Sequence, residues 1–302
     1  AAAALGREGV RVARGARTAP PGDGREWVCY GDLGADRDLS QAVAGFDAIV
    51  HFAGLAHVPP GSEAAARARA VNVEGTLRLA RAAARAGAAR FLYVSSAQVH
   101  GSRSPGRPIR EDDPPRPADI YATSKLEAER LLRETCAASG MAFVILRPPM
   151  VYGPGSPGNF HRLAQLAASG WPLPFGRATA PKSFIGVDNL SSAVVRATLD
   201  PRAANGTFLV SDAGTISTAE LVSRIAAMLG RPSRGIPVPE SLMRFAGRMT
   251  GRSRDIARLF DPFEIDASRI RETLGWSPPV STNEGVARAL GVARAEGARD
   301  RA

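Results

Sequence analysis

Short apolar runs at Val10 to Ala13, Trp27 to Tyr30, Ala48 to Phe52, Phe91 to Val94 and Phe143 to Leu146 alternate with helix-period stretches such as Val71 to Ala86 and Ser124 to Cys136. Runs this short and this largely apolar read as buried strands. Helical stretches between them supply the crossovers that parallel strands need. The alternation therefore predicts an α/β chain with a parallel sheet wrapped by helices.

After Pro148 the pattern changes to Pro/Gly-rich loops with helical pieces near Asn159 to Ser169, Ser217 to Leu229 and Pro239 to Met249, while Thr207 to Val210 reads as one more strand returning to the sheet. The expected organisation is a larger unit from 1–147 and 183–212, and a smaller α+β unit from 148–182 and 213–302. At 302 residues with 44% hydrophobic content, the chain is long enough to bury a core in each. There is no internal repeat and no apolar run of the ~18 residues needed to span a bilayer.

Lysine occurs only at 125 and 182 although Lys and Arg total 39, so Lys125 in Tyr121-Ala122-Thr123-Ser124-Lys125 is an exception to an arginine-writing sequence. Residues four apart share a helix face, which sets the phenol of Tyr121 beside the ammonium of Lys125. A free phenol titrates near ~10, and an adjacent cation stabilises the phenolate. Upstream, Arg90-Phe91-Leu92-Tyr93-Val94-Ser95-Ser96 reads as a buried strand ending in two hydroxyls, at the end where ligands bind in parallel sheets. Ser96 there can donate a hydrogen bond to a substrate oxygen, or else cap or turn the chain.

Eight motifs occur in one order: Gly31-Asp32-Leu33, Asp47 to Gly54, Asn72-Val73-Glu74-Gly75-Thr76, Val94-Ser95-Ser96-Ala97, the YATSK pentad, Arg147 to Gly155, Val187-Asp188-Asn189-Leu190 and Leu274-Gly275-Trp276-Ser277-Pro278. Through them nearly the whole chain resembles the extended short-chain dehydrogenase/reductases of the NAD-dependent epimerase/dehydratase family, which act on nucleotide sugars. The resemblance implies a Rossmann-like doubly wound sheet, NAD or NADP as cofactor, a UDP-linked nucleotide sugar as substrate and a homodimer. It assigns Tyr121 as catalytic base and acid, Lys125 as ribose ligand and phenol activator, and Ser96 as hydrogen-bond partner of the reacting oxygen. Asp32 and Leu33 match the pair that meets the adenine, Phe52, Ala53 and Gly54 the turn beneath the cofactor, and Asn72 the residue that steadies the central helix. Pro148 and Pro149 would lie beside the nicotinamide. Gln98, Asn159, Phe160 and Lys182 fall where related enzymes bind substrate, the last as a phosphate ligand.

The family opens with a strand and a Gly-rich turn that holds the pyrophosphate, and the sequence from Ala1 to Gly9 resembles the back half of the helix that follows. The reading is a chain lacking that first strand and loop, with a gap expected between the strands at Val10 to Ala13 and Ala48 to Phe52. Arg14 and Arg17 end the second family strand without an acid for a ribose hydroxyl, which leans toward the phosphorylated dinucleotide.

The net charge of +10 raises nucleic acid as a partner, but the arginines are scattered and aromatics are 6%, so no base-stacking platform is present. His51 and His57 lack the company of ligands at metal spacing. His100 sits where relatives carry a substrate-facing residue, with an ordinary loop histidine as the alternative. The arginines at 244, 248, 252, 254 and 258 read as a solvated face, with phosphate binding from one helix face as the alternative. Cys29 and Cys136 suggest reduced, cytoplasmic thiols.

Dehydratases and decarboxylating relatives place acids after the strand-end hydroxyl, where this chain has Ala97-Gln98. Elimination is disfavoured, which leaves hydride chemistry at sugar C4. A UDP-sugar 4-epimerase is the leading reading. A UDP-4-ketosugar reductase and a non-catalytic dinucleotide sensor or scaffold are the alternatives.

Overall fold

The computed structural model describes residues 1–18, 26–56, 58–59, 61–156 and 158–292; His57 lies outside them. After a short helix α1 (Ala2–Arg7), strands β1 (Arg14–Ala16) and β2 (Trp27–Cys29) pair in parallel, with Arg14 opposite Trp27. The first strand thus begins at Arg14 and does not occupy Val10 to Ala13, because its pairing partner begins at Trp27 and Val10 remains exposed.

Helix α2 (Ser40–Val43) leads to β3 (Ala48–His51), then come α3 (Ser62–Arg69), a widened π-helical turn over Ala70–Gly75, α4 (Thr76–Arg85), β4 (Arg90–Val94), α5 (Ile120–Ser139) and β5 (Ala142–Arg147). Strand β6 (Met150–Tyr152), α6 (Asn159–Ala168), β7 (Pro181–Lys182), β8 (Phe184–Gly186), α7 (Val187–Leu199) and β9 (Gly206–Leu209) follow. The main sheet runs β3-β4-β5-β9, all parallel. Among the described residues no ladder joins β1 to β3, the place where a gap is expected from the sequence.

Alternation along the central strands explains the two helical layers. Phe91, Tyr93 and Ile145 face α4 and α5 through Leu79, Ala83, Ala128 and Leu132. Leu92, Val94, Val144 and Leu146 face the other side, against Leu190, Ala193, Val194 and Ala197 of α7. Fully buried strands with side chains directed to both faces are what a doubly wound sheet requires.

The remaining elements are β10 (Ile216–Ser217), α8 (Thr218–Met228), α9 (Glu240–Met249), α10 (Ser253–Phe260), α11 (Ser268–Leu274) and α12 (Thr282–Leu290). A separate cluster of Tyr152, Phe160, Leu173, Phe184, Ile216, Leu221 and Ile225 forms a core around α6 and α8. Strand β8 joins the two cores residue by residue, since Phe184 packs into this one and Ile185 into the sheet core. Ile270, Leu274 and Trp276 also pack on the sheet, beside α7, so the stretch around α11 sits with the larger unit in space.

Candidate active site

Helix α5 is positioned by its ends. The Asp119 carboxylate caps it by accepting from the Ala122 amide at 2.8 Å, and Gly140 closes it at φ 75°. This places Tyr121 in the first turn, beside the carboxyl end of β4. There Ser96, buried, leaves the strand and its Oγ accepts from the Gln98 amide at 3.2 Å. Burial raises the Tyr121 pKa, and the facing Ser96 hydroxyl offsets part of that rise.

Lys125 lies one turn further in and is buried. Its ammonium donates to the Val94 carbonyl at 3.0 Å, sits 4.6 Å from the Tyr93 ring centroid and 5.9 Å from that of Tyr121. Burial pulls its pKa down to about 8, with Glu129 opposing. An ammonium stripped of its water and fixed near a phenol would favour the phenolate, against the upward pull of burial on Tyr121.

Asn72 ties this helix to the turn after β3. Its Oδ1 accepts from the Leu55 amide at 2.7 Å, and its Nδ2 donates to Leu55 O at 3.1 Å and Ser124 Oγ at 2.9 Å. The π-helical turn over 70–75 supplies the extra backbone that brings a fully buried amide to both. A Cβ on Gly54 would stand 3.0 Å from Asn72 Oδ1 and 3.2 Å from Lys125 Nζ, so a side chain there would press on both groups. Phe52, at the end of the same strand, is 46% exposed, and Ala53 is half-buried. Pro148 and Pro149 are buried at the end of β5, where Pro148 O accepts from the Ala97 amide at 2.8 Å.

These residues fit the nicotinamide and ribose end of a dinucleotide. Lys125 donates one of its three protons to protein, the Ser95 hydroxyl is buried without a protein partner, and Gly54 leaves the approach open. At the end of β2, Asp32 Oδ1 accepts from the Gly34 amide at 2.8 Å, and its other oxygen lies 3.5 Å from Arg17. Leu33 is buried against Leu39 and Val43.

Away from this cluster, Phe160 stacks on Tyr152 at 5.3 Å and belongs to the core, with Asn159 exposed at the start of α6. Lys182 is buried, donates to the Asp261 carbonyl, and has its pKa drawn down to about 8 by burial. Gln98 is half-buried beside Ser96.

Sequence reasoning missed the layer behind the lysine. His51 Nε2 lies 3.0 Å from Thr76 Oγ1, which donates to Asn72 O at 2.7 Å, and its ring stacks on Tyr93 at 5.8 Å. Burial and Lys125 push its pKa to about 3, so it is neutral. His100 is buried and does not stand free at the crevice. Its Nε2 is 2.9 Å from Arg147 Nη1, and because arginine only donates, this nitrogen accepts and the ring is neutral, its pKa near 4. The signal available in the sequence was Arg147, the charged residue in an otherwise apolar strand.

No set of three or more His, Cys, Asp or Glu is arranged to hold a metal among the described residues. A polar cavity of about 330 Å³ lies elsewhere, lined by Arg133, Arg147, Arg202 and Arg269. Its guanidinium groups are matched by Glu111, Asp112, Glu129 and Asp200.

The sequence model of the NAD dependent epimerase/dehydratase family matches residues 1–210. The UDP-glucose 4-epimerase of Vibrio cholerae is 39% identical over 259 residues, 84% of this chain and 79% of its own length. A short-chain dehydrogenase/reductase superfamily protein from Agrobacterium tumefaciens, solved with bound NAD, is 26% identical with a TM-score of 0.71, covering 96% of this chain and 90% of that one. The UDP-glucose 4-epimerase of Thermotoga maritima, solved with UDP-glucose, shares the fold at TM-score 0.77 and 18% identity, covering 96% of this chain and 93% of that one. The extent of these matches settles the descent that the motif order suggested: the chain belongs to the NAD-dependent epimerase/dehydratase family, whose enzymes work with NAD or NADP.

Proposed function

We propose that the chain is a UDP-sugar 4-epimerase acting by hydride transfer at sugar C4. The observation that carries the reading is the convergence of Ser96, Tyr121 and Lys125 at the carboxyl ends of β4 and its neighbours. When bound, the dinucleotide supplies the hydride acceptor, and later the donor. Tyr121 takes the proton from the C4 hydroxyl as hydride leaves, and returns it once the 4-keto sugar presents its other face. Ser96 hydrogen-bonds the same oxygen, and Lys125 holds the phenolate form within reach.

The position after Ser96 supports redox without elimination. Ala97 is buried, Gln98 is neutral, and the nearby Asp119 carboxylate is engaged with Ala122 N and Arg258. The Vibrio cholerae relative supports UDP-glucose and its C4 epimer as the substrate pair. On the substrate side the reading gives Gln98, Asn159, Phe160 through its backbone, and Lys182. A homodimer is part of the proposal, and unpaired thiols at Cys29 and Cys136 support a cytoplasmic setting.

Incubation with UDP-glucose, UDP-galactose and their N-acetylated counterparts, with NAD or NADP added and products followed by NMR, tests the proposal. Interconversion of C4 epimers without net change in the cofactor is the expected result. Stoichiometric oxidation of reduced cofactor with a 4-ketosugar would make it a reductase. Inertness toward every UDP-sugar while dinucleotide still binds would replace the enzyme reading with a sensor.

A further inference from the structure

Leu242, Phe245 and Met249 are spaced by three and four residues along α9, which sets them on one face, and they are 57%, 59% and 73% exposed. The opposite side anchors the helix. A Cβ on the buried Gly247 would stand 2.8 Å from the Ile256 side chain, so α9 lies tight on α10, and Arg244 is tied to Glu240 and Asp261, each at 2.6 Å. The apolar face is thus held outward by packing behind it. Arg248 borders that face on the same helix. Arg252 lies in the turn to α10 and Arg254 in its first residues; all three are exposed and make no ion pair among the described residues. The arginine series expected to form one solvated face is divided, with Arg244 and Arg258 committed to carboxylates and the other three free.

Large apolar tips beside unpaired guanidinium groups match acyl chains under a layer of phosphate oxygens. A second copy laid symmetrically on this face would bring its own unpaired Arg248, Arg252 and Arg254 against the same three, which is electrostatically ill suited whatever other face the protein pairs through. No helix is long and apolar enough to cross a membrane among the described residues, so the contact would be peripheral. We propose that α9 and the α9–α10 turn dock the protein on an anionic lipid bilayer, with Leu242, Phe245 and Met249 entering the acyl boundary and Arg248, Arg252 and Arg254 meeting lipid phosphates. None of these six residues belongs to the Ser96–Tyr121–Lys125 cluster, whose edge α10 reaches through Arg258 and Asp119.

Flotation of the full chain with vesicles of phosphatidylglycerol and phosphatidylethanolamine, against phosphatidylcholine alone, tests it. Binding to the anionic vesicles only, weakening as salt is raised, is expected. Phe245→Ser with Met249→Ser should abolish it. Arg248→Gln, Arg252→Gln and Arg254→Gln together should reduce partitioning on the order of 100-fold, about 5-fold per charge. Melting temperatures should stay unchanged, since these side chains touch little. Failure to bind anionic vesicles, equal binding to phosphatidylcholine, or binding unaffected by both sets of variants would overturn the proposal. So would a loss of oligomer mass in light scattering on Phe245→Ser with Met249→Ser, which would assign the face to a second copy.

Discussion

Arg147 grips Glu129 through both ends of its guanidinium, Nε to Oε1 at 3.0 Å and Nη2 to Oε2 at 2.5 Å, and both side chains are buried. Glu129 stands one helical turn beyond Lys125, and the remaining Arg147 nitrogen holds His100. The pair fastens the end of β5 to the helix that carries the candidate catalytic residues. Removing one partner of a buried ion pair strands the other charge, at a cost of about 3–5 kcal/mol. Glu129→Gln should lower stability by that amount in chemical denaturation, and Glu129→Leu with Arg147→Met should cost much less. A single variant that loses under about 1 kcal/mol on that scale would mean that water reaches the pair.

The sheet was legible because Phe91 to Val94 and Phe143 to Leu146 are short and wholly apolar and alternate with helix-period stretches, a combination that a parallel sheet explains. The Tyr121–Lys125 pair was legible because their separation is one helical turn. What stayed hidden depended on tertiary position. Nothing in the sequence says that His51 and His100 turn inward, or that Phe160 fills a core against Tyr152. The strand expected at Val10 to Ala13 begins at Arg14 instead, because register is set by a partner and a local run cannot name its partner.

Tyr121→Phe keeps the ring and its packing while removing the proposed proton carrier, and Lys125→Arg keeps the charge but changes its shape and reach. Turnover of a UDP-sugar should fall by ~10² to 10⁴ in Tyr121→Phe, the usual worth of general acid-base catalysis, with the melting temperature nearly unchanged. Lys125→Arg should also lose most activity, and because the buried pocket fits an ammonium it should lose some stability. Full turnover in Tyr121→Phe would reduce the YATSK pentad to packing.

Lys125 and Lys182 both have folded-state pKa values near 8 against an ordinary 10.5, through burial. Below pH 8 each ammonium is charged in the folded and unfolded chain alike, and the folded state bears the cost of burying it. Between about 8 and 10.5 the folded chain releases a proton that the unfolded chain keeps, so their contribution to stability rises with pH across that window. Cys136, raised from 9 to about 11, works in the opposite sense but is common to wild type and variant. The melting temperature of wild type relative to Lys182→Met should therefore climb from pH 8 to pH 10.5; a flat difference would contradict the burial argument. Activity should run the other way. kcat/KM should fall as pH rises past about 8, because Lys125 loses the charge that stabilises the phenolate form of Tyr121.

Lys182 poses the sharpest choice between binding and architecture. Its ammonium donates to the Asp261 carbonyl, in a stretch where Phe263 N also bonds Pro181 O at 3.0 Å and Ser183 N bonds Phe263 O at 2.8 Å. Backbone bonds from both sides of Lys182 already hold Pro181 and Ser183 to Phe263, so the lysine's two remaining protons are available to a diphosphate. A phosphate contact made equally in ground and transition states raises KM and spares kcat. Lys182→Met, which preserves the buried stem, should raise KM for a UDP-sugar on the order of 10- to 100-fold, the worth of one charge-assisted hydrogen bond. Inhibition by UDP should weaken in parallel, a readout that needs no chemistry. An unchanged KM and UDP affinity, together with a lowered melting temperature, would make Lys182 a structural tie between β7 and the segment before α11 and remove it from the substrate site.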